Sequence, residues 1–250
     1  MTIFRNVVFV AALAGLVAGI VLAAMQAYAT VPLILQAETF ENAGGEAAGG
    51  HDHAAPADPA APAEAAPHSH DEEAWAPADG FERFAYNVLA NAVSGIGFAL
   101  ILLAVSEFVG GINGWRQGVF WGFAGFAVFT LAPGLGLPPE LPAMPAADLG
   151  DRQVWWVATV VATAAGLALI AFRRSAVFAL IGVALIVAPH IVGAPQPESH
   201  DSPVPADLHH QFVVAVTVTN LIFWLVLGAV AGMLRERVAV ASGDVRSSFA

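Results

Sequence analysis

The residues best equipped for chemistry are eight histidines, because the chain has no cysteine and all nine basic residues are arginine. Four of them form two His-x-His pairs, His51-Asp52-His53 and His68-Ser69-His70-Asp71-Glu72-Glu73. Imidazoles at that spacing, flanked by carboxylates, suit capture of a borderline divalent ion such as Co, Ni, Zn or Cu. The same composition also reads as an acidic, soluble linker in which histidine is incidental. His190 follows Pro189 near the end of an apolar stretch, and His200, His209 and His210 fall in the last polar stretch. With Glu140, these eight histidines are the candidate metal ligands. An ionisable group inside a membrane span is costly and is a functional candidate by default, although a histidine at headgroup level needs no function. Pro189 carries no N–H and frees the carbonyl four residues earlier, at Leu185, to face a cation or a water. Glu38 and Asp148 could extend an acidic vestibule or could be solvated helix ends. Asn87, Asn91, Thr217, Thr219 and Asn220 fit either a polar pathway or interhelical hydrogen bonds.

Other chemistries are excluded by residue type. Without cysteine there are no disulfides, thiolate metal sites or thiol nucleophiles. Without lysine there is no P-loop, and no GxSxG, HExxH or dinucleotide fingerprint occurs. No catalytic residue and no cofactor is expected, and the chain reads as a non-enzyme. The net charge of −11 argues against nucleic acid as a partner.

The elements that must position these residues are membrane helices. The chain is 58% hydrophobic and 12% charged, against about 25% charged in a soluble domain. Six apolar spans are expected at 7–28, 86–105, 119–131, 154–172, 176–192 and 212–234, most of them long enough to cross about 30 Å of hydrocarbon. This divides the chain into a first transmembrane helix (1–36), a mostly disordered outer loop rich in His, Ala, Pro and acid (37–83), a five-helix membrane bundle (84–238) and a tail (239–250). Arg235-Glu236-Arg237 is read as the end of the last span. The first span competes with a secretory signal, since Ala27-Tyr28-Ala29 has the form of a cleavage site. The apolar run is long for a signal core, which favours an uncleaved helix. Gly15 and Gly19 form a GxxxG pattern that would let another helix approach.

Seven arginines fall on the side of the termini and two, Arg83 and Arg152, on the other. The positive-inside rule then places both termini in the cytoplasm, with the lipid bilayer as the chain's surroundings. Seventeen of the twenty acidic residues and all eight histidines lie on the outer side, so that face should attract cations. The outward spans each end in a Pro-containing elbow reaching a glutamate: Pro32 to Glu38, Pro133 to Glu140 and Pro189 to Glu198. Pro32, Pro133, Gly136, Pro138, Pro189 and Gly193 are the structural elbow residues. The elbows suggest one helical hairpin used three times, a known transporter plan, with function where they meet.

Specific stretches resemble the CbtA family. The match is strongest at Leu131-Ala-Pro-Gly-Leu-Gly-Leu-Pro-Pro-Glu-Leu-Pro142, then Met144-Pro-Ala-Ala-Asp-Leu149 and Arg152-Gln-Val-Trp-Trp156. Trp75-Ala-Pro-Ala-Asp-Gly80, Ala188-Pro-His190, Gly193-Ala-Pro195 and the His-bearing first loop support it. The resemblance implies the membrane subunit of a bacterial cobalt transporter in the cytoplasmic (inner) membrane, linked to cobalamin synthesis. It also implies a small CbtB-like partner with one membrane helix and a His-rich, metal-binding end. Family descriptions count about five membrane segments, where the hydropathy here indicates six. No metal ligands follow from the resemblance; those named above come from residue type and spacing. The expectation is an all-α integral membrane protein of about six helices that imports a divalent metal ion, with Co²⁺ as cargo. The competing expectation is a non-transporting accessory protein that binds metal outside and delivers it to another permease.

Overall fold

The computed structural model describes residues 2–49 and 77–247, and all regular elements among them are helices. In chain order these are α1 (Thr2–Ala29), α2 (Val31–Gly49), α3 (Phe81–Glu107), α4 (Trp115–Phe126), a π-helical turn (Ala127–Leu131), α5 (Ala132–Gly136), α6 (Leu149–Phe172), α7 (Ala176–Val192) and α8 (Ala206–Ser247). Helices are the expected outcome for such apolar segments, because lipid offers no hydrogen bonds and the backbone must satisfy its own. Among the described residues, five runs are long and apolar enough to cross a membrane: Phe4–Ala29, Phe81–Glu107, Trp115–Gly136, Leu149–Phe172 and Ala206–Val238. The sixth expected span, α7, is apolar but has 17 residues, about 25 Å at 1.5 Å per residue.

Four helices, α1, α3, α4 and α8, enclose the main core. Val10, Ala14 and Leu22 of α1, Leu102 and Leu103 of α3, Phe126 of α4, and Trp224 and Leu227 of α8 are buried together. The first helix is therefore part of the bundle, although its position before the polar loop suggested a separate unit. Trp224 organises the middle. Its ring stacks on Phe129 at 5.6 Å, its Nε1 donates to Thr130 Oγ1 at 3.3 Å, and it fills the space beside Gly125.

Small residues decide which helices pair. A Cβ at Gly15 would strike the backbone of Gly95 and Ile96, and one at Gly19 would lie 2.7 Å from Ala92 Cα. That joins α1 to α3 through the expected GxxxG pair. Gly118 and Gly122 of α4 meet Gly228 and Gly232 of α8, and Gly166 of α6 meets Gly182 of α7. The close pairs are thus α1–α3, α4–α8 and α6–α7. Of the three hairpins suggested by the elbows, only the first is a close pair; the long run 115–136 turns its glycines toward α8 and touches α6 chiefly through the π turn and α5.

Three boundaries differ from the sequence expectation. The third span does not break at Ala132-Pro133. The helix widens to a π turn, with the Ala132 N–H bonded to the Ala127 carbonyl, and Pro133 enters the first turn of α5. Proline is tolerated there because its missing N–H falls where the register changes. The segment expected to be loop from residue 37 remains helical to Gly49, because Pro32 sits in the first turn of α2 and nothing after it blocks a helix. Finally, α8 runs on past Arg235-Glu236-Arg237 to Ser247; charges mark an interface but do not terminate a helix.

One buried group stands out in the α6–α7 hairpin. Thr159 donates to the Trp155 carbonyl at 2.8 Å, but Thr163 Oγ1, one turn on, is buried without a partner. Thr163→Val removes that desolvated hydroxyl while keeping its shape. It should stabilise the protein by about 1 kcal/mol, seen as a higher Tm in detergent.

Candidate functional site

The first two elbows and the start of α8 share an apolar floor at one end of the bundle, a cluster of Ala37 from α2, Leu141 from the second elbow, and Val204, Leu208 and Phe212 from the last connection and α8. Leu33 and Ile34, just after Pro32, and Met144 pack against it. Thr30, between α1 and α2, donates its hydroxyl to the Gln26 carbonyl at 3.3 Å.

Two elbow glutamates are engaged by arginines. Arg83, in the first turn of α3, holds Glu38 through its two terminal guanidinium nitrogens, at 3.0 and 3.4 Å, and reaches Asp79 with Nε at 3.0 Å. Arg152, in the first turn of α6, holds Glu140 at 3.1 Å. These are the two arginines at the opposite ends of the spans from the other seven. Each is placed one helix start away from an elbow carboxylate, and each pair is about one quarter exposed. At that exposure, water screens the attraction and a pair contributes no more than about 1 kcal/mol; the larger consequence is that neither glutamate presents a free negative charge. Asp148 acts locally, where its Oδ1 accepts the Asp151 N–H at 3.1 Å and caps α6.

Below the Glu38–Arg83 pair a short polar ladder continues between α1 and α3. Asn91 Nδ2 donates to Gln26 Oε1 at 2.7 Å and to Asn87 Oδ1 at 2.8 Å. It stops where Gly19 meets Ala92. Thr217, Thr219 and Asn220 instead bond to carbonyls of their own helix, which is neither the polar pathway nor the interhelical bond of the sequence reading.

Trp155 joins the second elbow to the third. Its ring lies where a Cβ on Gly136 would be, and its Nε1 donates to the Pro189 carbonyl at 3.2 Å. The Gly193 N–H reaches the same carbonyl at 3.0 Å. Gly193 has φ +87°, a conformation suited to glycine, and closes α7. The His190 ring meets Trp155 edge-on at 5.7 Å and is half-buried. His209 is also half-buried, with Nε2 3.1 Å from the Pro139 carbonyl. His200, His210 and Pro138 are exposed, and Pro133 is buried in the bundle. His51, His53, His68 and His70 lie outside the described residues. Among the described residues, no three His, Asp or Glu side chains gather as a metal cluster.

Sequence reasoning singled out the elbow carboxylates and histidines but missed Arg83, Arg152, Gln26 and Trp155 as organisers. A signal was available for the arginines, since a cation on the acid-rich side of a membrane protein asks for a local partner.

A family model described as probable cobalt transporter subunit (CbtA) matches residues 4–236. No curated protein and no solved structure matches the chain.

Proposed function

Because the chain belongs to the CbtA family of probable cobalt transporter subunits, we propose that it is the membrane subunit of an importer that carries Co²⁺ into the cytoplasm for cobalamin synthesis, working with a CbtB-like single-helix partner. The elbow end faces outward in the inner membrane and both termini face the cytoplasm. The observation that carries this reading is that Glu38, Glu140, His190, His209 and His210 all fall at the elbow ends of the helices, while Arg5, Arg116, Arg173, Arg174, Arg235 and Arg237 fall at the other ends. No charged residue falls between those ends in any span. The His-x-His pairs at 51–53 and 68–70 belong to the segment that joins α2 to α3, two helices that meet at the Glu38–Arg83 pair.

In this reading the acidic outer face raises the local cation concentration. The His-x-His pairs bind the ion loosely and exchange it quickly. The ion then moves to the elbows, where it competes with Arg152 for Glu140 and completes its shell with His190, His209, His210 or His200. Arginine keeps the carboxylate neutralised while no ion is present. With no ready cluster among the described residues, remaining ligands come from the 51–70 segment or the partner.

The test is ⁵⁷Co²⁺ accumulation in cells lacking other cobalt importers. Separate strains express the chain alone, the chain with its partner, the pair with all four histidines at 51, 53, 68 and 70 changed to alanine, and the pair with His190→Ala. The pair is expected to accumulate cobalt and the chain alone to fail. The four-histidine variant should need about tenfold more cobalt for half-maximal uptake, about 1.4 kcal/mol of lost capture, with the plateau retained. His190→Ala should lower the plateau.

A second reading, the accessory protein that hands metal to another permease, is favoured by one observation. The α1–α3 and α4–α8 pairs are closed by glycine contacts with backbone against backbone, and the polar ladder of Gln26, Asn87 and Asn91 ends at the first of them. No uptake by any strain, with cobalt still bound by the purified chain, selects that reading.

A further inference from the structure

An apolar cleft of about 550 Å³ opens between the four-helix core and α6, in the half of the bundle away from the elbows. Its walls include Leu102 and Val105 of α3, Phe120 and Trp121 of α4, and Ala164 and Ala168 of α6. It exists because α6 is anchored to the core at its start, through Trp155 on Gly136 and Trp156 near Phe129, while the small side chains of its second half leave a gap. The volume lies within the range of about 300–1,000 Å³ typical of ligand sites.

Three arginines adjoin residues that line one end of the cleft. Gln117 and Phe172 line it at the end opposite the elbows. Arg116 precedes Gln117, and Arg173 and Arg174 follow Phe172. All three arginines are exposed, and none forms an ion pair among the described residues. Arg116 lies over the Trp115 ring and Arg173 over the Phe178 ring, contacts that leave guanidinium donors free. Of the carboxylates at this end, Glu107 is paired with Arg235 and Glu236 lies beside Gly114. An apolar slot between membrane helices with unpaired arginines at its rim is complementary to an acyl chain under an anionic headgroup.

We propose that this cleft is a binding site for an anionic phospholipid of the adjacent leaflet, with an acyl chain against Ala164 and Ala168 and the phosphate held by Arg116, Arg173 and Arg174. The site is separate from the elbow end and uses none of the candidate metal ligands.

The test uses the full chain in mixed micelles, titrated with phosphatidylglycerol or phosphatidylcholine. Bound lipid is counted by native mass spectrometry, and a photoreactive group on the phosphatidylglycerol acyl chain reports the position. Each arginine near an anionic surface contributes about fivefold. Wild type should therefore retain phosphatidylglycerol at least about tenfold better than phosphatidylcholine, with crosslinks on α6. Arg116→Ala/Arg173→Ala/Arg174→Ala should erase the preference while leaving the fold intact. Ala168→Trp should remove the crosslink by filling the cleft, with thermal unfolding as the check that it still folds. Equal retention of the two lipids by wild type, a preference unchanged in the arginine variant, or crosslinks confined to other helices would overturn the proposal.

Discussion

Gly228→Leu is expected to separate α4 from α8 and leave little folded protein in the membrane. The Cβ position at Gly228 falls on the Gly118 carbonyl and 2.9 Å from the Gly122 nitrogen. The obstructing atoms are backbone, so no rotamer change relieves them. Accommodating even one carbon requires α4 to retreat, which strips Trp224 from Gly125 and from its Thr130 acceptor. Overpacking a well-fitted interior costs about 1–3 kcal/mol, and a rigid backbone contact belongs at or above the top of that range. At about 3 kcal/mol, the Tm of a chain this size falls by about 6–12 °C. Thermal unfolding in detergent measures it. Leucine at Gly97, where a Cβ meets nothing within 4 Å, is the control and should be nearly silent. Equal effects at the two positions would mean that the α4–α8 contact does not hold the bundle together.

Gly136→Ala should loosen the link between the second and third elbows. The added methyl enters the space of the Trp155 ring and lies 3.1 Å from the Ala194 Cβ. Trp155 is buried and tied to the Pro189 carbonyl, so moving the ring sacrifices that bond. Alanine by itself is favoured over glycine in a helix by about 0.5–1 kcal/mol, which offsets part of the clash. A net loss of about 1–2 kcal/mol is expected, with cobalt accumulation by the pair reduced because His190 moves with its tryptophan. Trp155→Phe supplies the cross-check. Its smaller ring makes room for the methyl, so the double variant should cost less than the sum of the two single changes, a coupling of about 0.5 kcal/mol or more. Strict additivity would show that Gly136 and Trp155 do not meet as described.

The spans were legible from residue order because hydropathy is a local property: Ala176–Val192 is α7 to the residue, although α6 begins at Leu149 rather than at the expected 154 because Asp148 caps it. The elbows were legible too, since proline and glycine act on their own neighbours. The fate of each elbow residue was less so. Pro133 read as a break, yet a π turn absorbs it, because the cost of a missing N–H depends on whether the helix can change register nearby. Glu140 read as an open ligand, and only the fold brings Arg152 to it.

Helix pairing was the main quantity hidden in the sequence. Gly118-x-x-x-Gly122 and Gly228-x-x-x-Gly232 are both visible, but apolar segments hold many small residues and the pattern does not name its partner. Residue order alone was enough for a multi-pass helical membrane protein with an acidic, His-bearing face and Pro/Gly elbows, because composition and local backbone chemistry suffice for those. It took the packed bundle to establish that α8 rather than α6 lies against α4, that Trp155 joins two elbows, and that two glutamates are held by arginine. Those depend on which surfaces fit at backbone distance, and fit is a property of two helices together.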